Sequence, residues 1–439
     1  MTVELTHPST EPLASRSPAG VTQPRWAFLW TTPGRILTIG VILAALGVIS
    51  AVATSTTINE RQQALTTVLD HTEPLSFAAG QLYTKLSVAD AAAATAFIAG
   101  AEPRPVRQRY EQSITDAALA LTRASGGLTD QPMQELLGRI NANLAVYTGL
   151  IETARTNNRA GNPVGSSYLA EASALMQETI LPDAQLLYQQ TSARVESETT
   201  ASTRMPAPVI LVLASTVVFG LFAHRWLARR TRRRVNVGLV AGGLAIMVMV
   251  VWVGTVLAVS TGTSRKAQDT SADSLKTITN LAITAQQARA DETLSLIRRG
   301  DETVRKQSYY QRIDTMQQQL SSFLDSNRSA ERAALGDAET LLSKWRAADE
   351  RINAYISVGN YQAATQVALG TGEDDSTPAF DKLEQALNEG IRVSREQLRS
   401  DIVNARRVLS GATVGGVVLS LSAALAVALG LWPRMSEYR

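Results

Sequence analysis

Residues 207–259 read APVILVLASTVVFGLFAHRWLARRTRRRVNVGLVAGGLAIMVMVVWVGTVLAV, and this stretch decides the fold. Two apolar runs without charged residues, Ala207–Ala223 and Val237–Val259, flank a short linker that carries six arginines and no acid. The apolar core of a bilayer is about 30 Å thick and takes about 20 helical residues to cross, with a lower limit of about 17. The stretch therefore predicts two transmembrane helices joined by a basic loop.

Two further apolar runs, Ile36–Ala53 and Ala412–Leu431, also lack charged residues. A helix buried in a soluble core can be apolar on all sides, but four such runs bounded by arginine or proline favour four transmembrane helices. The sequence Ala51-Val52-Ala53 also fits cleavage of the first run as a signal peptide. That run is longer than a typical signal core and has a counterpart in Val237–Val259, so we expect an uncleaved anchor.

The charges of the short segments predict the orientation of the chain. The N-terminal segment, the linker and the C-terminal tail are basic, and their only acids are Glu4, Glu11 and Glu437. Because short basic segments stay on the cytoplasmic side, we expect a multi-pass protein of the cell membrane with both termini inside. The predicted segments are 1–35 (cytoplasmic), 36–54 (first span), 55–206 (outside), 207–223 (second span), 224–236 (cytoplasmic loop), 237–259 (third span), 260–411 (outside), 412–432 (fourth span) and 433–439 (cytoplasmic tail).

The two long segments resemble each other at an offset of 200 residues. Gly100 matches Gly300, Glu102 matches Glu302, and Tyr110 matches Tyr310. The first span also corresponds to the third, and the second to the fourth. This shared register predicts an internal duplication, in which each copy is a pair of spans that carries an outside domain.

Both outside segments have the apolar spacing of packed helices. Apolar residues recur at alternating steps of three and four, which is typical of bundles, whereas the alternation of strands is scarce. The series are Met133, Leu137, Ile140, Leu144, Tyr147 and Ile151 in the first segment, and Ile313, Met316, Leu320, Leu324, Leu341, Trp345, Ala348, Ile352 and Tyr355 in the second. The sequence predicts an all-α protein with two tandem four-helix bundles outside the membrane.

Nothing in the sequence indicates an enzyme. The chain has no cysteine and only three histidines, which lie far apart in sequence, so thiol chemistry and a histidine-based metal site are excluded. No metal or cofactor is expected, although the acids Asp374 and Asp375 leave a calcium loop open beside the more ordinary solvated loop. The interiors of the spans carry no charged residue, which argues against a transporter.

The most distinctive outside feature is the segment Asp90–Tyr110. An alanine-rich helix ends there at a glycine and is followed by a proline and a basic stretch. Either this is a tight corner between two helices with Tyr110 packed beneath it, or it is a docking site for a partner. The candidate docking residues are Asp90, Gly100, Glu102, Arg107 and Tyr110, with Gly300, Glu302 and Tyr310 in the second copy.

The densest charge lies in the loop between the second and third spans. Its arginines can contact anionic lipid headgroups, and they can also dock an acidic cytoplasmic partner. Nucleic-acid binding is not expected of a loop held against the membrane. The candidate residues are Arg225, Arg229, Arg230, Arg232, Arg233 and Arg234.

The layout resembles the helical-bundle sensor domains of bacterial chemoreceptors and sensor kinases, but no signalling domain follows the last span. The corner formed by Leu86–Asp90 and Phe97–Pro103 is similar to that of the actinobacterial GlnX family. The resemblance implies a link between a solute-binding lipoprotein of the glutamine-binding type outside and a cytoplasmic Ser/Thr kinase of the protein kinase G type. It also implies sensing of aspartate or a related amino acid through the lipoprotein.

A large outside part and a small inside part together favour a signal relay that acts through a partner. Two other classes remain open, namely an accessory subunit of an amino-acid transporter and a structural membrane scaffold. Uptake of labelled substrate would favour the first, and the absence of any response to outside solutes would favour the second.

Overall fold

A computed structural model describes residues 32–99, 103–126, 130–203, 207–230, 267–297, 302–326 and 329–436, together with scattered positions between 244 and 262. These residues form helices joined by short turns, and no strand occurs among them, which confirms the all-α prediction. The helices are α1 (Thr32–Thr67), α2 (Glu73–Ile98), α3 (Arg104–Ser125), α4 (Gln131–Arg159), α5 (Gly165–Leu175), α6 (Leu181–Thr203), α7 (Ala207–Arg230), α8 (Asp273–Ile297), α9 (Glu302–Asp325), α10 (Ser329–Leu335), α11 (Ala338–Ser357), α12 (Tyr361–Leu369) and α13 (Ser376–Ser436).

Three π-helical turns interrupt this α-helical pattern. Val68–Thr72 joins α1 to α2, Met176–Ile180 joins α5 to α6, and Ala267–Ala272 precedes α8. The helical backbone therefore continues without a break from Thr32 to Ile98. Single π turns inside longer helices are rare and occur often at functional sites.

The chain divides into two compact units. One contains residues 1–53, 208–250 and 417–439, and the other contains residues 54–207 and 251–416. The two outside domains expected from the sequence thus belong to a single unit. Within it we call residues 54–203 the first bundle and residues 267–409 the second bundle.

The core of the first bundle is built from the apolar face of each helix. The predicted series on α4, from Met133 to Ile151, is buried throughout, and Ile140 and Tyr147 are 0% exposed. Leu82 and Leu86 of α2 pack into the same core. Helix α4 starts with Asp130 as its N-cap and with Pro132 in its first turn, where proline is favoured.

The core of the second bundle is centred on Trp345, which is 0% exposed. Its ring meets those of Tyr309 and Phe380 edge-on, with centroids 5.7 and 5.0 Å apart. The predicted series on α11 is correct in its middle but shifts at both ends. Leu342 and Ile356 are buried there, whereas the predicted Leu341 is partly buried and Tyr355 is 39% exposed.

Two helical stretches in the described part of the chain are long and apolar enough to cross a membrane. They lie within Thr38–Ile98 and Ala207–Trp226, which contain most of the first predicted span and all of the second. A hydrogen bond of 3.0 Å between the hydroxyls of Ser50 and Thr216 joins them. Most of the third predicted span lies outside the described residues. The fourth lies in α13, where most side chains beyond Gly411 lie outside the description, so four spans remain a prediction.

Candidate functional site

The predicted docking corner is only partly described. Helix α2 ends at Ile98 and α3 begins at Arg104, with the extended residue Pro103 between them as N-cap. Gly100 and Glu102 lie outside the described residues. Arg107 is exposed on α3, where its Nε lies 2.8 Å from the Oε1 of Glu111 one turn later. Of the predicted residues at this corner whose side chains are described, only Arg107 faces the surface.

Tyr110 and Asp90 lie in the core of the first bundle, each only 4% exposed. Tyr110 packs beneath the corner, with the guanidinium carbon of Arg155 at 4.3 Å from the centre of its ring. The structure therefore favours the packing interpretation for these two side chains, because a docking partner cannot reach them in this conformation.

In the second copy of the predicted corner, the buried tyrosine lies one residue earlier in the chain than the sequence repeat predicts. Gly300 lies outside the described residues, and Glu302 is the first residue of α9, with its side chain outside the description. Tyr310 is partly buried and accepts a hydrogen bond of 3.3 Å from Asn353. The fully buried tyrosine of α9 is its neighbour Tyr309, which is 2% exposed and so matches Tyr110 in burial.

The arginine loop is described only where it leaves α7. Arg225 and Arg229 are exposed on the last turns of that helix, and Arg230 is its final residue. Arg232, Arg233 and Arg234 lie outside the described residues.

Each bundle contains a buried acid with a comparable set of partners. Asp90 accepts hydrogen bonds from Tyr147 at 3.3 Å, Ser173 at 3.2 Å and Gln177 at 2.8 Å. Burial raises the pKa of Asp90 to about 6, and the three hydrogen bonds oppose that rise. The sequence marks Asp90 only as a polar residue in an apolar helix.

Among the buried acids of the second bundle, Glu292 has the lowest exposure, 1%. It accepts a hydrogen bond of 3.1 Å from the indole of Trp345 and further ones from Arg289 and Ser376. Burial raises the pKa of nearby Asp349 to about 7, and the charge of Glu292 adds to the rise. Sequence reasoning missed this cluster, because only the fold brings α8, α11 and α13 together.

The two bundles pack against each other along α2 and α8. A Cβ atom on Gly80 would lie 3.3 Å from the Cγ2 of Thr279, so the two helices approach closely there. Near one end of this interface Glu73, 1% exposed, binds Arg395 and also Arg399, whose Nη1 lies 2.8 Å from its Oε2.

A second group of ion pairs crosses the same interface. Arg109 of α3 contacts Asp381 at 2.9 Å and Glu384 at 3.0 Å, both on α13. Gln286 of α8 donates a hydrogen bond of 2.8 Å to Glu384. Polar contacts of this kind fix the register of two packed surfaces more than they add affinity.

Between these groups lies a cavity of about 320 Å³ with walls from both bundles. Phe77, Tyr188, Leu275 and Ile391 provide apolar walls, while Lys276 and Glu196 contribute charge. We regard the interface and its cavity as the candidate functional site. In the described part of the chain no cluster of acids and histidines is arranged to hold a metal ion.

Comparison with known proteins gives one result. Residues 64–200 match the family model of the actinobacterial sensor domain, and this segment is nearly the whole first bundle. No curated protein and no solved structure is significantly similar to the chain. The match supports a sensor protein of actinobacterial type with a sensory or signalling role, and the two apolar stretches are compatible with a membrane protein.

Proposed function

We propose that this chain is a transmembrane signal relay of the GlnX type. It couples an amino-acid-binding lipoprotein outside the cell, of the glutamine or aspartate type, to a cytoplasmic Ser/Thr protein kinase. The observation that carries the proposal is the continuous helix from Thr32 to Ile98, which joins an apolar stretch to the core of the bundle that matches a sensor domain. Such a helix can pass on a displacement without a flexible linker.

The proposal includes four spans, with both termini and the arginine loop in the cytoplasm and both bundles outside. The support is the distribution of arginine in the short segments. In the proposed mechanism the relay acts on a cytoplasmic partner, which contacts the arginine loop.

We also propose that the second bundle is a second sensor domain that arose by duplication. The π turn at Val68 recurs at Ala267, 199 residues later, and the buried Tyr110 recurs as Tyr309 at the same offset. The partners of the two buried acids are similar as well, since each acid accepts hydrogen bonds from an aromatic residue, Tyr147 on α4 or Trp345 on α11, and from a serine further along the chain.

In the proposed mechanism the lipoprotein docks on the bundles and changes how α2 packs against α8. The exposed surface around Arg107 is the candidate contact. Docking stabilises one of two packing arrangements of α2 against α8. The helices that continue into the spans transmit this change in packing to the membrane. The arginine loop then changes its contacts with lipid headgroups or with the kinase.

A crosslinked pulldown from native membranes, with and without added amino acids, tests the input. We expect a solute-binding lipoprotein among the captured proteins, in an amount that depends on aspartate or a related amino acid. Capture of transporter subunits alone would favour the accessory-subunit alternative, and a pattern that no solute alters would favour a scaffold.

Replacement of Arg229, Arg230, Arg232, Arg233 and Arg234 by glutamine tests the output. We expect loss of kinase regulation, whereas replacement of the same residues by lysine preserves the topology and the lipid contacts. Insertion is checked by labelling of the outside bundles. If the glutamine variant inserts correctly and the kinase is still regulated, the assignment of the loop is wrong.

A further inference from the structure

The cavity between the bundles has the size of a site for a small molecule. Its volume of about 320 Å³ is at the lower end of the range of roughly 300–1,000 Å³ found for ligand pockets. That space suits a molecule of the size of an amino acid and is too small for a folded partner. Helices of both bundles contribute to its walls, so an occupant contacts both.

The walls are mostly apolar with a few polar groups. The first bundle contributes Phe77 of α2 and Tyr188 of α6 to the apolar wall. The second bundle contributes Leu275 of α8 and Ile391 of α13. Ser76 and Gln81 also line the cavity, and neither side chain has a hydrogen-bond partner among the described residues. An occupant therefore needs an apolar body and groups that can form hydrogen bonds.

Lys276 and Glu196 form an ion pair between the two bundles at the cavity, and two further acids, the exposed Asp273 and the buried Glu73, also line it. The Nζ of Lys276, from the second bundle, lies 2.9 Å from the Oε2 of Glu196, from the first. Their side chains are 46% and 57% exposed, so the pair lies where the cavity meets solvent and is weak by itself. Glu73, deeper in the wall, is already bound by Arg395 and Arg399. A ligand with one positive and one negative group can contact Glu196 and Lys276 without leaving a charge unpaired.

We propose that this cavity binds a zwitterionic small molecule with an apolar side chain, a hydrophobic α-amino acid, directly between the two bundles. The carboxylate pairs with Lys276, the ammonium pairs with Glu196, and the side chain lies on Phe77 and Tyr188. Binding then favours one packing of the bundles over another. The site is a second input, separate from docking of a lipoprotein, and it does not depend on the proposed kinase output.

Calorimetric titration of the full chain in lipid nanodiscs tests the proposal. The probes are L-leucine and L-phenylalanine, with 3-methylbutylamine and 4-methylpentanoate as analogues that keep one charge each. We expect the amino acids to bind about tenfold more tightly than either analogue, because each analogue leaves one charge of the pair without a partner. The double variant Lys276→Gln/Glu196→Gln should lose this difference.

Two variants that fill the cavity and one matched control complete the experiment. Ser192→Phe and, independently, Ser76→Leu should abolish binding while circular dichroism shows an unchanged helix content. Lys382→Gln/Glu373→Gln removes an exposed Lys–Glu pair of 3.6 Å that does not line the cavity, and it should bind normally. The proposal is overturned if no amino acid binds the folded chain, if binding survives both filling variants, or if the single-charge analogues bind equally well, as expected of a lipid-chain site.

Discussion

At the scale of single residues, the buried acids are the least expected feature of the molecule. Asp90 and Glu292 each occupy a core built mainly of leucine, alanine and aromatic rings. A buried carboxylate is costly unless it has hydrogen-bond partners or a counter-charge. Asp90 has three neutral donors, whereas Glu292 has the guanidinium of Arg289. The two bundles thus hold these buried acids differently, Asp90 with neutral donors and Glu292 with a cationic one.

This difference leads to a pH-dependent stability that can be measured. Because the pKa of Asp90 is about 6 in the folded state and close to 3.8 when unfolded, the unfolded chain ionises first as the pH rises. Asp90 should therefore lower the free energy of unfolding by up to about 3 kcal/mol between pH 4 and pH 6, and Asp349, whose pKa is about 7, should continue the fall to about pH 7.

Asp90→Asn should remove the part of this slope that comes from Asp90 and stabilise the protein at pH 7, as followed by urea unfolding with circular dichroism detection. The exposed carboxylate of Glu135 serves as control, since Glu135→Gln should keep the full slope. An undiminished slope in Asp90→Asn would assign the titration to other groups.

At the scale of helices, the sequence was informative where an apolar face is continuous. The series on α4 was predicted residue by residue, because its heptad-like spacing leaves one choice for the buried face. On α11 the apolar spacing is compatible with burial of either of two neighbouring helix faces. The packing of Trp345 against Tyr309 and Phe380 determines which of these faces is buried. The π turns could not be predicted, because they depend on packing rather than on a local residue signal.

A pair of substitutions on α4 tests the assignment of its buried face. Ile140→Ala should lower the free energy of unfolding by about 2–5 kcal/mol, because it leaves a cavity in the core of the first bundle. Val146→Ala, on the same helix but 54% exposed, should change it by less than about 0.5 kcal/mol. Both are measured by denaturant unfolding at one pH, and equal effects would mean that the helix is rotated from its described position.

At the scale of the whole molecule, the structure adds the interface between the two bundles. The repeat predicts two bundles in tandem, and residues 54–207 and 251–416 form one compact unit. Sequence reasoning could not find the interface, because its residues are spread over α2, α3, α6, α8 and α13 and have no shared motif. Glu73 with Arg395 and Arg109 with Asp381 are more than 250 residues apart in the chain.

The close approach of Gly80 and Thr279 allows this interface to be locked. The distance of 3.3 Å from a Cβ on Gly80 to the Cγ2 of Thr279 brings the pair Gly80→Cys/Thr279→Cys within the range of a disulfide. The natural chain has no cysteine, so no other thiol competes. We expect an intramolecular crosslink under mild oxidation, seen as a shift in gel mobility that a reductant reverses. The control Gly149→Cys/Thr279→Cys should stay reduced, because a Cβ on Gly149 meets nothing within 4 Å.

The locked protein also separates structure from signalling. If sensing changes the packing of α2 against α8, the oxidised variant should be held in one signalling state whatever amino acid is added, and reduction should restore the response. A response that continues in the fully crosslinked protein would show that the signal does not pass through this interface. In that case the continuous helix from Thr32 to Ile98 would have to move together with the whole unit, because the disulfide fixes the two bundles to each other at their closest helices.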